Sequence, residues 1–303
     1  MDEQIQKGDK IGNHYEVIDI IGGEGESSRG IIFVSRDNGQ IWAIKSLQRK
    51  FVIEDIMINL FKRESLINLL LGKFPYIVEA KKYFQVKNRP FLVLEYIPRD
   101  SKGRNTITNY LVNSLSSKNI LKWAIQICLA MEYAQSKGIG PHRDIKPDNI
   151  MVTQSKNIKL TDFSLSILNK NQAKIKKKYF NNEDEIVTAE IPEKVGGTAP
   201  YMAPEQFDGK FFISSDIYSI GIILYQLLNR GALPFECKSE HEFYLAHKNK
   251  DFKKIETPIF PIVQKCLKKK PKDRYQNYKS LRLDLEKFYD RETSKESKVK
   301  QES

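Results

Sequence analysis

The sequence predicts an α+β protein: a small β-rich lobe with one major helix, followed by a larger α-helical lobe. Three observations carry that reading. Asn38-Gly39 stands between two runs rich in β-formers, GIIFVSRD and QIWAIKSL, which is the strongest short hairpin signal a sequence offers. After Pro98 the pattern changes from strand alternation to helical spacing. Finally, SSDIYSIGIILYQLLNRG, residues 214–231, is apolar nearly all round, as a helix at the centre of a domain would be.

The elements follow in order. Residues 1–13 are a polar lead-in, and a first lobe is expected over 14–97. It opens with the strand YEVIDII, passes through a run of glycines and enters the Asn38-Gly39 hairpin. Residues 51–72 place apolar side chains at helical spacing and stop at Gly72. PYIVEAKKYFQV and RPFLVLEYIP then read as a second strand pair. The second lobe is expected over 98–290. Its helix NILKWAIQICLAMEYAQSKG ends at Gly138, and further helical patterns occupy 262–289. The last residues, 291–303, carry no apolar residue but Val299 and are expected to form a disordered tail.

Composition narrows the classes. Of the 303 residues 40% are apolar and 29% charged, enough for two lobes with cores of their own. A formal net charge of +12 favours anionic partners without choosing among nucleotide, acidic protein, acidic lipid and nucleic acid. Much of that charge also suits a plain solvated surface. Cys128, Cys237 and Cys266 are far apart and in no ligand spacing, so reduced thiols and a cytoplasmic protein are expected. The acidic, polar start is not a signal peptide, and the longest apolar runs are too short to span a bilayer.

The chemistry begins at Asp162, set among Ile158, Leu160, Phe163, Leu165 and Ile167. A carboxylate in that company costs on the order of several kcal/mol unless something pairs with it. Upstream, PHRDIKPDNIMV offers Asp144, Lys146 and Asn149 and then a short strand. If that strand pairs with IKL, Asn149 and Asp162 reach the same end of a hairpin. One oxygen from each is what a hard cation such as Mg²⁺ requires. Lys146 suits a phosphate, and Asp144 is left to orient a hydroxyl and take its proton.

These motifs, over about residues 15–289, resemble those of the eukaryotic-type (Hanks-type) Ser/Thr protein kinase family. The loop HRDIKPDN, WAIK ending at Lys45, Glu64 in FKRES, Asp162-Phe163, GTAPYMAPE from Gly197 to Glu205, Asp216 and Arg274 come in the family's order. The resemblance implies a bilobal protein-kinase-like fold that binds ATP and Mg²⁺ and phosphorylates serine or threonine hydroxyls of protein substrates. It implies Asp144 as catalytic base, with Lys146 and Thr198 beside it, and a Thr198 hydroxyl bonded to both. Asn149 and Asp162 would hold the metal, and Lys45, paired with Glu64, would meet the phosphates. Ala43, Leu94, Glu95 and Ile97 would surround the adenine between the lobes, with Leu94 guarding the rear. Lys146 and Thr198 are the Ser/Thr-type choices. His142 and Phe163 are expected to be packing residues, and Arg274 to pair with Glu205. Arg143, with no evident carboxylate nearby, suits a phosphorylated activation loop. The resemblance implies neither a specific nucleic-acid partner nor an oligomeric state.

Four places depart from the pattern. In IGGEGESSRGIIF the candidate loop glycines are Gly22, Gly23, Gly25 and Gly30. A strict register from Gly23 puts Ser28 at the third glycine and Gly30 where the adenine lid belongs. The preferred register makes Gly30 the third glycine and Ile32 the lid. Ser164 replaces the glycine after Asp-Phe, where a Cβ is expected to bias switching by roughly 1–2 kcal/mol. Asn68 stands one turn after Glu64 where the family is apolar, so either the helix slips to bring in Leu69 or a contact is weakened. The segment 162–205 is long, with a basic run NQAKIKKKYF, an acidic run NNEDEIVTAE and a candidate phosphosite at Thr188. These departures leave open a binding module or scaffold of the same fold. Small-molecule phosphotransfer fits the MAPE segment less well.

Overall fold

The computed structural model describes residues 4–23, 30–113, 115–166 and 197–301, with side chains through Ser294. They form two compact units, one running to Pro98 and one starting at Arg99. The first is a six-stranded antiparallel sheet and one long helix. Its strands are β1 Lys10–Ile11, β2 Tyr15–Ile21, β3 Gly30–Asp37, β4 Gln40–Leu47, β5 Ala80–Val86 and β6 Arg89–Glu95, in the order β1-β2-β3-β4-β6-β5. Asn38 and Gly39 both have positive φ, so the β3–β4 turn is the two-residue type whose twist matches its strands. Lys87-Asn88 makes the same turn between β5 and β6 without a glycine, which is why no turn signal marks it in the sequence.

Strand alternation gives the sheet two faces. Phe33, Ile44, Phe91 and Val93 form one, closed by Ile11 and Val17 and partly by Ile5. The other carries Ile32, Ala43, Lys45, Leu92 and Leu94, set opposite one another by the register Ile32↔Lys45, Lys45↔Leu92 and Ala43↔Leu94. Helix α1, Asp55–Leu71, packs on the sheet. It starts four residues later than the helical spacing suggests, because a short 3₁₀ turn at Arg49–Phe51 precedes it.

The second unit is mainly helical. Its helices are α2 Ser117–Ser136, α3 Pro204–Phe207, α4 Ile213–Leu228, α5 Glu240–Asn249, α6 Phe260–Cys266 and α7 Tyr278–Gln301. A two-stranded ribbon joins β7 Ile150–Val152 to β8 Ile158–Leu160. Ser116 caps α2, accepting a bond from the Asn119 amide. Every residue of α4 from Ser214 to Leu227 is buried, as its all-round apolar sequence predicts. Helix α5, capped by Ser239, is one the sequence pattern does not mark. Helix α7 packs along α2, with Arg282 bonded to Glu132, and continues to Gln301. The tail expected to be disordered from 291 is therefore largely helical. Its lysines, glutamates and glutamine are good helix formers even without an apolar face.

Two buried polar groups fix the packing of this unit. Arg274, fully buried, makes a bidentate pair with Glu205 at 2.6 and 2.8 Å. It also donates to the carbonyls of Ser214, Lys268 and Lys269. Breaking such a pair from one side strands a buried charge. We expect Arg274→Met to cost about 3–5 kcal/mol in urea unfolding, and a loss below about 1 kcal/mol would contradict this role.

His247 lies in a cage of Phe207, Phe235, Phe243 and Tyr218, with Nδ1 2.9 Å from the Tyr218 hydroxyl. Burial, aided by Lys269, pushes its pKa down to about 4, while the backbone of Ala199 and Pro200 pulls the other way. The folded state thus holds a neutral imidazole that the unfolded chain protonates near pH 6.5. Stability is fully present above that pH and is lost as pH falls toward 4, by up to about 3 kcal/mol. The unfolding midpoint measured from pH 7.5 to 4.5 should fall with a slope that His247→Gln removes. An unchanged slope in that variant would place the titration elsewhere.

Candidate active site

The loop from His142 to Asn149 is held from below. Asp216, buried in α4, accepts the backbone amides of His142 at 2.7 Å and Arg143 at 2.9 Å, and the Tyr278 hydroxyl at 2.7 Å. Burial pushes this carboxyl up, and His142 and the three donors oppose the shift. The anchored amides hold Arg143 at φ 73°, a left-handed conformation that costs a non-glycine residue about 1–2 kcal/mol. The Arg143 guanidinium lies over the Phe211 ring, 3.9 Å from its centroid. Burial lowers its pKa and the Asp216 charge counters this, but Asp216 bonds the backbone amide of Arg143, and among the described residues no carboxylate pairs with the guanidinium, as the sequence suggests.

On this base four predicted residues meet. The Thr198 hydroxyl donates to Asp144 Oδ1 at 2.8 Å, and Lys146 Nζ donates to the Thr198 oxygen at 2.8 Å. Lys146 Nζ also lies 2.9 Å from Asp144 Oδ2. Asn149 Nδ2 donates to the Asp144 carbonyl at 2.9 Å and to Oδ2 at 3.2 Å. Asp144 is thus fixed from three sides with its side chain still 12% exposed. Gly197 delivers Thr198 at φ 94°, where a Cβ would stand 2.9 Å from the Arg143 carbonyl and from Met202 Cγ. Only glycine fits that crossing.

The β7–β8 ribbon brings up the remaining pair. Its register, Ile150↔Leu160, extends by one bond from the Thr161 amide to the Asn149 carbonyl at 3.0 Å. Asn149 and Asp162 therefore lie at one end of it. Asp162 is left-handed, φ 62° and ψ 62°. Phe163 is fully buried against the His142 ring, 4.7 Å between centroids. His142 Nδ1 accepts the Asp144 amide at 3.4 Å, so its Nε2 donates to the Thr161 carbonyl at 3.1 Å. Both rings are packing residues here. Ser164 sits inside the 3₁₀ turn Phe163–Leu165 and not among the positive-φ residues. The penalty expected for its Cβ does not arise in this conformation; the left-handed residue is Asp162.

The first unit carries a second constellation. Lys45 Nζ lies 2.5 Å from Glu64 Oε1, the lysine from β4 and the glutamate from α1. Glu64 is 6% exposed. Asn68, 3% exposed, donates to the Glu64 carbonyl at 2.8 Å. The helix runs through without slipping, and the amide side chain satisfies itself on the turn before it. Ile32 stands opposite Lys45, on the face with Ala43 and Leu94. Gly30 opens β3, and a Cβ there would lie 3.4 Å from Lys45 Cε. Gly22 and Gly23 follow β2, while Gly25 and Ser28 lie outside the described residues. Leu94 and Ile97 are buried. Glu95 Oε1 accepts the Glu79 amide at 2.7 Å, which ties the end of β6 to the chain before β5.

Residues 15–283 match the model of the protein kinase domain. The chain belongs to the protein kinase family. A probable serine/threonine-protein kinase of Clostridium acetobutylicum is 29% identical over 89% of this chain and 39% of its own length. Serine/threonine-protein kinase A of Synechocystis is 30% identical over 88% of this chain and 51% of its own length. CBL-interacting protein kinase 10 of rice is 28% identical over 82% and 51%. The chain thus spans about half or less of the length of these relatives.

The basic and acidic runs and Thr188 fall within 167–196, outside the described residues. Two supporting residues have no signal in the sequence. Tyr278, which donates to Asp216, reads only as an apolar helix position, and Gln206, which donates to the Arg143 carbonyl at 3.0 Å, reads as a surface residue of the MAPE segment. Among the described residues no helix is long and apolar enough to cross a membrane. We expect Gly197→Ala to lower stability by about 2–4 kcal/mol, since strain and overlap add. Gly103→Ala has a similar φ of 75° and open space, and should cost only about 1 kcal/mol. Equal losses in thermal unfolding would remove the contact argument.

Proposed function

We propose that this kinase domain transfers the γ-phosphoryl group of ATP to serine or threonine hydroxyls of protein substrates. The observation that carries the reading is the Asp144–Thr198–Lys146 triangle, a carboxylate held open by two neighbours of fixed geometry. Asp144 would accept the substrate hydroxyl as a hydrogen bond and take its proton as the oxygen attacks phosphorus. Lys146 would hold the transferring phosphoryl, its ammonium being shared between the Thr198 oxygen and Asp144 Oδ2 until a phosphate competes for it. Lys45, held by Glu64, would neutralise phosphate charge of the nucleotide. Ile32, Ala43, Leu94 and Ile97 offer apolar surface for the adenine, and the Gly22–Gly30 stretch offers backbone amides for the phosphates.

The residues present fit a magnesium ion. Asn149 commits its Nδ2 to Asp144, which leaves its amide oxygen as acceptor, and Asp162 adds a carboxylate at the same end of the ribbon. Both are the hard oxygen donors that Mg²⁺ prefers. When bound, the ion would offset negative charge on the phosphates. Arg143, with its guanidinium over the Phe211 ring, would suit a phosphorylated residue of the segment that follows Asp162, Thr188 among the candidates. That much of the chemistry is positioning and charge stabilisation, so the loss of one fixed group is costly.

Incubation with labelled ATP, magnesium and a generic protein substrate tests the reading. Asp144→Asn should lower phosphoryl transfer by on the order of 10²–10⁴-fold with the thermal midpoint nearly unchanged; Lys45→Met should lower transfer as far and lower the midpoint too, because it takes the ammonium from the buried Glu64. Thr198→Ala should lower kcat, and Thr198→Ser should restore most of it. Full transfer by the Asp144 variant refutes the assignment, and nucleotide binding without transfer by the parent chain would mark a scaffold.

A further inference from the structure

The helical unit carries a second charged surface in its C-terminal half. Between Lys248 and Lys272 the chain carries nine lysines, four in 248–254 and five in 265–272, against two acids, Asp251 and Glu256. Nine less two leaves +7 in 25 residues, more than half of the chain's net +12. The two lysine stretches are not merely near in sequence. Lys269 Nζ donates to the carbonyls of His247 at 2.9 Å and Lys250 at 2.5 Å, which ties the residues after α6 to the end of α5. Lys250, Lys253, Lys268 and Lys270 are exposed, and among the described residues no carboxylate pairs with them. The ion pair Lys254–Glu256 is open to solvent on both sides, 67% and 85% exposed, and therefore weak.

Beside these lysines the surface is concave. A groove of about 560 Å³ opens between residues 254–258 and α6, lined by Lys254, Thr257, Pro258, Phe260, Pro261 and Gln264, with Glu256 at its rim. Phe260 and the two prolines give it an apolar floor. Pro261 and Gln264 share the exposed stripe of α6 that continues into Lys265 and Lys268. Nothing in the chemistry proposed above uses this surface. A flat basic face would suit a lipid headgroup layer or a nucleic-acid backbone. An apolar slot flanked by cations suits an extended chain that offers carboxylates and one apolar side chain.

We propose that this groove is a docking site for an acidic segment of a protein partner, with an apolar side chain seated over Phe260 and its Asp and Glu carboxylates paired to the flanking lysines. The local field agrees. Nine lysines against two acids leave this part of the surface with more positive charge than its own carboxylates offset. A bound acidic segment supplies the missing counter-charge.

The test is fluorescence anisotropy with a labelled peptide of about a dozen residues, rich in Glu and Asp with one central Phe, read on the full chain. It uses the Asp144→Asn chain, so its outcome does not depend on phosphoryl transfer. The peptide should bind in the micromolar range, and binding should weaken several-fold between roughly 50 and 300 mM salt. The charge-reversed chain K253E/K254E/K268E/K270E should lose at least about tenfold. Its thermal midpoint guards against misfolding, and the milder pair K253Q/K268Q should show a smaller loss in the same direction. A peptide with Ala for Phe should bind several-fold more weakly. Equal binding of an uncharged peptide, or unchanged binding by the reversed chain, overturns the proposal. So does tighter retention of the parent chain on phosphatidylserine vesicles or duplex DNA than on the peptide, since the surface would then serve a membrane or nucleic acid.

Discussion

The loop from His142 to Asn149 rests on one buried carboxylate. Asp216 accepts two consecutive backbone amides, from His142 and Arg143, and so holds the chain in a left-handed turn it would otherwise leave. The turn aims Asp144 and Lys146 outward while His142 goes down onto Phe163. Phe163 in turn sits directly after Asp162, whose own backbone is left-handed. Two strained residues thus flank one ring contact, each costing about 1–2 kcal/mol that the packed helical unit must offset. Such strain survives only where surrounding contacts over-determine it, and the fully buried α4 provides those contacts.

A similar division of labour recurs around Glu205. Its carboxylate takes both branches of Arg274 and the Ser215 hydroxyl, so the start of α4, α3 and the residues before α7 share one buried charge centre. On the other side of the family's machinery, Lys45 and Glu64 form a pair of the same kind in the sheet-bearing unit, where Asn68 removes the cost of its own burial by bonding backward along α1. Each unit therefore arranges its charged residues through polar contacts within itself.

Much of this was legible in the sequence for a physical reason. Chemistry that needs particular residue types at particular spacings leaves a readable trace, as in HRDIKPDN, and strands and helices leave their periods. Asp144, Lys146, Thr198, Lys45 and Glu64 could be named before any coordinates. What could not be read was whatever depends on backbone conformation or on distant partners. Ser164 looked costly because its neighbours' dihedral angles were unknown; the positive φ falls at Asp162 instead. The anchor of the Arg143 amide could not be read because Asp216 lies 73 residues away. The Lys87-Asn88 turn lacked a glycine, α5 lacked a clear stripe, and the continuation of α7 past 291 rests on intrinsic helix preference with no apolar pattern to announce it.

The Tyr278 hydroxyl gives the last helix a task beyond closing the core. Its bond to Asp216 links the opening turn of α7 to the two amides beneath Asp144, so the final helix and the His142–Asn149 loop share one hydrogen-bonded chain. The C-terminal edge of the folded unit is thereby set by chemistry as well as by packing. Any relative in which this tyrosine gives way to phenylalanine must find another donor for that carboxylate, or carry a looser loop above it.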